Sequence, residues 1–366
     1  MTKEEYWYWA CNIKNVPQNE IRKMIAFFRD PEEIYKASED ELTASGCVSE
    51  ETARYMILSK NDFKITYKLN KLKRDGISFV YYGSSEYPQQ LLCLEDAPLA
   101  LYVKGRLPDP DFPSVGIVGA RNCSGYGKEM ALKFSQTLAA NSVQIISGMA
   151  AGIDSYASRG AMEAGGKTFV ILGSGLDVIY PQQNIELYYQ IILNGGGVIS
   201  EYPMGTAPSG WQFPHRNRLI SAFSDKLLII EARKQSGTLS TAAHALYQGK
   251  DIYALPGRIT DPLSEGCNNL IADGAGILLD PRHILEELFA MPGYTNTFKS
   301  YEKKPAAELM KGDAAEVYAV LGYEPKPVDV IASECGMSCE AAANALTELE
   351  LEGLCSQASK DCYAKE

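Results

Sequence analysis

A single hydrophobic core usually stops growing near ~250–300 residues, so a chain of 366 residues implies two or three domains. Its 46% hydrophobic and 22% charged residues are those of a packed globular protein and exclude a fibrous or wholly disordered one. The net charge of -11 would argue against a polyanion partner if it were even, but residues 308–366 hold four Lys against twelve Asp and Glu, whereas 213–258 hold seven Lys and Arg against three acids.

The opening stretch MTKEEYWYWACNIKNVPQNE has no apolar region ending in a cleavage site, and no run approaches the ~18 apolar residues of a membrane span, so a cytoplasmic protein with no membrane partner is expected. Residues 1–75 read as a small helical domain. Ile21, Met24, Ile25 and Phe28 recur at helical spacing, Asp30-Pro31 opens the next helix, and a third spans Ser49 to Leu58. Trp7 and Trp9 are expected in its core rather than in a stacking platform.

Residues 76–291 read as the core domain. From Pro113 the pattern becomes short β-rich runs: Val115 to Val118, Val143 to Ile146, Thr168 to Leu172, Gly197 to Ser200, Lys226 to Glu231, Asp251 to Leu255 and Gly276 to Leu279. Helical stretches separate them, notably Tyr126 to Ala139, Ile153 to Ala164, Asn184 to Leu193 and Leu239 to Gln248. This alternation predicts an α/β, doubly wound, mostly parallel sheet of Rossmann-like type. Residues 292–311 are polar and Pro-bracketed and read as a linker. Residues 312–366 offer three short helices, with Leu354 to Tyr363 as a β-wing, in helix-turn-helix spacing. The acidity of this last domain sets it against phosphate and suggests a protein-contacting role.

In open α/β sheets the ligand sits beyond the carboxyl ends of the strands, so the loops there carry the chemistry. Four are unusual. Gly119-Ala-Arg121 precedes Ser124-Gly-Tyr-Gly127 at a helix start, where glycines admit an anion to backbone amides and Arg121 can fork phosphate oxygens. Ser147-Gly148 opens a second glycine turn; Asp154, early in the following helix, is expected to satisfy amides rather than act as an acid. Phe213-Pro-His-Arg216-Asn217-Arg218 places an aromatic ring, an amide and two cations together, a set suited to a strand's phosphodiesters and an unpaired base. Arg233, Lys234, Ser236 and Gly237 form a further cradle at a helix N-terminus.

No cofactor is expected. The spacing does not fit G-x-G-x-x-G, and the acidic residue expected about 20 positions on is missing, which argues against a nicotinamide dinucleotide. No metal site is expected either: the nine cysteines contain no C-x-x-C pair, and Cys335, Cys339, Cys355 and Cys362 have poor spacing for zinc.

The runs GIVGARNCSGYG, SGMAAGIDSYASRGAMEAGGKTFVILGSGLDVIYPQQN, FPHRNRLISAFSD and EARKQSGTLSTAAHALYQGKDIYALPG together resemble the DprA (Smf) family, in order and spacing, from about Tyr87 to Asp280. The resemblance implies a SAM-like or helix-hairpin-helix N-terminal domain, an extended Rossmann-like core and a C-terminal winged helix. It also implies a homodimeric DNA-processing protein, not an enzyme, that binds single-stranded DNA and loads RecA recombinase during natural transformation, with single-strand-binding protein as a further partner. Phosphate contacts would then fall on Gly119, Arg121, Ser147, Gly148, Arg216, Asn217, Arg218, Ser236 and Gly237, with Phe213 and Lys234 added from the residue pattern. Relatives often carry a basic residue after Tyr180-Pro181, where this chain has Gln182, so weaker binding is expected.

Two rival readings remain. A nucleoside-monophosphate-cleaving enzyme of the similar LOG fold would need a carboxylate where Thr241 stands. A protein-interaction scaffold without DNA binding would account for the acidic C-terminal and helical N-terminal domains.

Overall fold

The computed structural model describes residues 1–60, 64–291, 294, 312–351, 354–359 and 361–365. The predicted linker 292–311 therefore falls, apart from Tyr294, outside the described residues.

Six helices open the chain: α1 (Lys3–Cys11), α2 (Gln18–Phe28), α3 (Pro31–Lys36), α4 (Glu39–Ala44), α5 (Glu50–Ser59) and α6 (Ile65–Arg74). Their starts are written locally. Thr2 and Ser38 form capping boxes with Glu5 and Glu41, and Asp30 and Ser49 cap α3 and α5 through their side chains. Trp7 and Trp9 are buried, as their apolar surface requires, and Trp7 stacks on Tyr81. The same hydrophobic cluster continues through Phe79 and Tyr102 to Val198, so these helices share a core with the sheet beside them.

The central sheet has nine strands: β1 (Ile77–Tyr81), β2 (Ala100–Gly105), β3 (Ser114–Val118), β4 (Gln144–Ser147), β5 (Thr168–Ile171), β6 (Gly197–Ser200), β7 (Lys226–Ile229), β8 (Asp251–Ala254) and β9 (Gly276–Ile277). Their order is β1-β2-β6-β5-β4-β3-β7-β8-β9. The seven strands from β3 to β9 are the ones the sequence pattern placed, and they pair in parallel. β1 and β2 extend the sheet antiparallel beyond β6, before the region where the alternation becomes legible. Between the strands run α7 (Gly125–Ala140), α8 (Ile153–Glu163), α9 (Ile185–Leu193), α10 (Gln212–Ala222), α11 (Thr238–Tyr247), α12 (Glu265–Ala272) and α13 (Pro281–Ala290). The central strands are buried on both faces, as helices on both sides of a parallel sheet demand.

From β3 the chain winds outward through β4, β5 and β6, then returns to place β7 on the other side of β3. Loops leaving β3 and β7 consequently diverge, and a crevice opens between them at the carboxyl edge.

The C-terminal winged helix consists of α14 (Asp313–Val320), β10 (Lys326–Pro327), α15 (Val328–Cys335), α16 (Cys339–Leu351), β11 (Cys355–Ser359) and β12 (Cys362–Lys365), its three strands ordered β10-β12-β11. Val317, Ile331, Leu346 and Leu349 give it a separate core. It meets the sheet domain through polar and ring contacts: Tyr323 lies edge-on to Tyr126 and donates to Glu129, and Arg258 pairs with Glu324. Among the described residues no group of three or more His, Cys, Asp or Glu is placed to hold a metal, and no helix is long and apolar enough to cross a membrane.

Candidate functional site

The crevice between β3 and β7 is a cavity of about 500 Å³. Gly119 and Arg121 reach it from the end of β3, Phe213, Arg216 and Asn217 from the first turns of α10, and Ser236 and Gly237 from the start of α11. Segments far apart in sequence therefore converge because the strand order reverses here.

The mouth is cationic and aromatic. Arg121 is exposed, and its guanidinium carbon lies 5.4 Å from the centre of the Phe213 ring. Tyr180, 44% exposed, abuts the same ring at 5.6 Å between centroids and 36° between planes. Sequence reasoning passed over Tyr180; its signal was an aromatic residue in the loop after β5, at the same sheet edge.

Deeper in the cavity, the charges are held by the protein. Arg216 is buried and donates Nη1 to the Gly148 carbonyl at 2.8 Å and to the Ile171 carbonyl. Burial lowers its pKa to about 10, opposed by the Asp154 carboxylate, so the group stays charged at neutral pH. Asp154 accepts from the amides of Gly148 and Ala150 at 3.1 and 3.4 Å, and burial pushes its carboxyl upward against the pull of Arg216. Asn217 donates to Ser240 Oγ at 2.8 Å and thereby joins α10 to α11.

Two of the three expected glycine-turn and helix-start phosphate cradles are filled by the protein's own carboxylates. At the start of α7 the Ser124 amide donates to Glu231 Oε2 at 3.0 Å and the Ser124 hydroxyl to Oε1. A Cβ on Gly127 would stand 2.4 Å from that carboxylate, so the glycine there makes room for Glu231 rather than for a ligand. In the second turn Asp154 takes the Gly148 amide, while the buried Ser147 hydroxyl donates to the Ile117 carbonyl at 2.7 Å. Ser147 and Gly148 thus lie beneath the cavity and do not line it. Gly119 has a packing reason as well, since a Cβ would come within 2.6 Å of Ile153. The cradle at α11 differs: no carboxylate among the described residues fills it and Gly237 has open space around it, although the Thr238 amide donates to Ser236 Oγ at 3.2 Å.

Two expected contacts sit elsewhere. Arg218 is buried on the far side of α10, with Nε 2.6 Å from Asp96 Oδ2 and Nη2 2.7 Å from Glu201 Oε2. Arg216 and Arg218 are two positions apart on a helix, about 200° around its axis, and so cannot face the same ligand. Lys234 is exposed at 3.5 Å from Glu265 and lies outside the cavity lining.

Comparison with known proteins gives a consistent set of similarities. A family model described as DNA recombination-mediator protein A matches residues 78–289, and one described as the DprA winged helix domain matches residues 302–359. Protein Smf of Escherichia coli (strain K12) is 38% identical over 271 residues, which span 74% of this chain and 72% of that protein. The crystal structure of DNA processing protein A from Streptococcus pneumoniae superimposes with a TM-score of 0.69 at 31% identity, over 79% of this chain and 98% of that one. DNA processing protein A from Helicobacter pylori, solved to describe its single-stranded DNA binding mode, gives a TM-score of 0.53 at 31% identity, over 58% of this chain and 96% of that one.

Proposed function

We propose that this chain, which belongs to the DNA recombination-mediator protein A family, is a DNA-processing protein that holds single-stranded DNA in the cavity between β3 and β7. The observation that carries the reading is the pairing of Arg121 with Phe213 at the mouth, beside the uncrowded Gly237 that precedes α11. A guanidinium answers a phosphate, an aromatic ring answers an unstacked base, and backbone amides at a helix start answer a second phosphate. The contacts proposed are those of Arg121, Phe213, Ser236 and Gly237, with Gly119, Arg216 and Asn217 shaping the cavity from below. Family membership supports the further expectations of a homodimer built through the sheet domain, of RecA loading, with single-strand-binding protein as an additional partner, and of a cytoplasmic role in transformation.

Fluorescence anisotropy with a labelled oligo-dT tests this reading. Binding should weaken with salt, and Arg121→Ala should weaken it further. A wild-type protein that leaves the oligonucleotide free would overturn the proposal. Binding without turnover is the expected behaviour, because Thr241 stands where the similar nucleotide-cleaving fold needs a carboxylate and Asp154 is committed to backbone amides. Release of free base from a nucleoside monophosphate would instead make the protein an enzyme.

A further inference from the structure

A second cavity, of about 440 Å³, lies on the opposite flank of α10, between that helix and the start of α2. The two cavities are neighbours along the chain: Gly210 lines the first and Trp211 the second. Trp211 is 64% exposed, while Trp7 and Trp9, the chain's other two tryptophans, are buried at 4% and 3%. Its ring is braced edge-on by Tyr202 at 6.2 Å and at a tilt by His215 at 6.0 Å, which leaves much of its surface uncovered.

The charged groups lining this cavity are two carboxylates, Asp96 and Glu201, and three cations, Arg22, His215 and Arg218. Asp96 and Glu201 are matched by Arg218, which bonds both, and by His215, whose ring nitrogens lie 3.6 and 3.2 Å from their oxygens. Those two carboxylates raise the His215 pKa to about 9, so it is charged at neutral pH. Arg22, on the wall, donates Nη2 to the Ala97 carbonyl at 2.5 Å and is the lining cation with no carboxylate partner among the described residues. The first turn of α2, which carries Glu20, opens here with no side chain capping it, and Nη1 of Arg218, a residue 4% exposed, has no hydrogen-bond partner among the described residues, nor has Oε1 of Glu201.

We propose that this cavity is a second nucleotide subsite for the same strand: a base stacks on Trp211, and the adjoining phosphate meets Arg22 and the amides at the start of α2. The proposal rests on the reading of the first cavity as the site of a single strand. Continuity supplies the occupant, since Trp211, which lines the second cavity, lies between Gly210 and Phe213, which line the first. An exposed indole with an arginine nearby is a common way to hold a base without reading its sequence.

The test follows tryptophan emission and oligonucleotide anisotropy together during titration with labelled oligo-dT. Trp211 is the exposed indole, so strand binding should quench emission. Trp211→Ala should weaken binding between roughly fivefold and a hundredfold with an unchanged salt slope, and Trp211→Phe should restore most of it. An anisotropy rise without quenching, or Trp211→Ala binding as tightly as wild type, would overturn this subsite and leave the first cavity standing. No anisotropy rise at all would overturn both.

Discussion

The Arg121 guanidinium lies over the Phe213 ring at 5.4 Å, joining the loop after β3 to the first turn of α10. Arg121 stays exposed, while the half-buried Phe213 ring is flanked by Arg121 and Tyr180. Arg121→Ala should therefore remove one phosphate contact and lower the slope of log affinity against log salt by roughly 0.7 for a single strand. Arg121→Lys should keep most of the slope yet lose affinity, because a lysine neither forks phosphate nor lies flat on the ring. Anisotropy titrations at several salt concentrations decide this, and an unchanged slope for the alanine variant removes Arg121 from the interface.

Arg218 should bear on stability. Its removal leaves Glu201, 10% exposed at its side chain, without its strongest partner. Arg218→Ala should cost ~3 kcal/mol or more in chemical denaturation. A variant as stable as wild type would show its ion pairs with Asp96 and Glu201 to be inconsequential.

Gln182 sits exposed two residues beyond Tyr180, whose ring abuts Phe213. Gln182→Lys should place a cation near the strand's path, tighten binding and steepen the salt slope by roughly 0.7. The same titrations measure it; no change would place the strand away from this turn.

Raising pH should destabilise the network on the far side of α10. The folded-state pKa of His215 is raised from 6.5 to about 9 by Asp96 and Glu201. A raised histidine pKa contributes stability that is complete below about 6.5 and is lost as pH climbs through about 9. Wild type should thus lose more stability than His215→Asn between pH 7 and pH 9.5, and parallel thermal-unfolding curves across that window would show the ion pairs to be inconsequential.

Gly119→Ala should lower stability by roughly 1–3 kcal/mol, because its Cβ would press to 2.6 Å from Ile153 where α8 crosses the end of β3. Denaturation midpoints test it. A neutral result would mean that α8 yields, and would leave Gly119 available as a ligand contact.

The order of strands and helices from β3 to β9 was legible because short β-branched runs alternating with helical ones can only bury both faces of a parallel sheet. The helix starts at Asp30 and Ser49, which the structure shows as caps, were legible too, since a helix start is set by near neighbours in sequence. β1 and β2 were not: they are antiparallel additions at one side of the sheet, outside the alternating pattern.

For the candidate site, the sequence by itself determined which loops meet at the carboxyl edge and that they carry glycines, cations and Phe213. Only the tertiary structure decided which of those groups remain open. Glu231 fills the cradle at α7 from 107 residues away, Asp154 fills the next, and Asp96 claims Arg218 across 122 residues. The physical reason is that hydrogen bonds and ion pairs are made with whatever the fold brings within about 3 Å. A local pattern of glycine and arginine records the capacity to bind an anion, but not whether the protein has already supplied one.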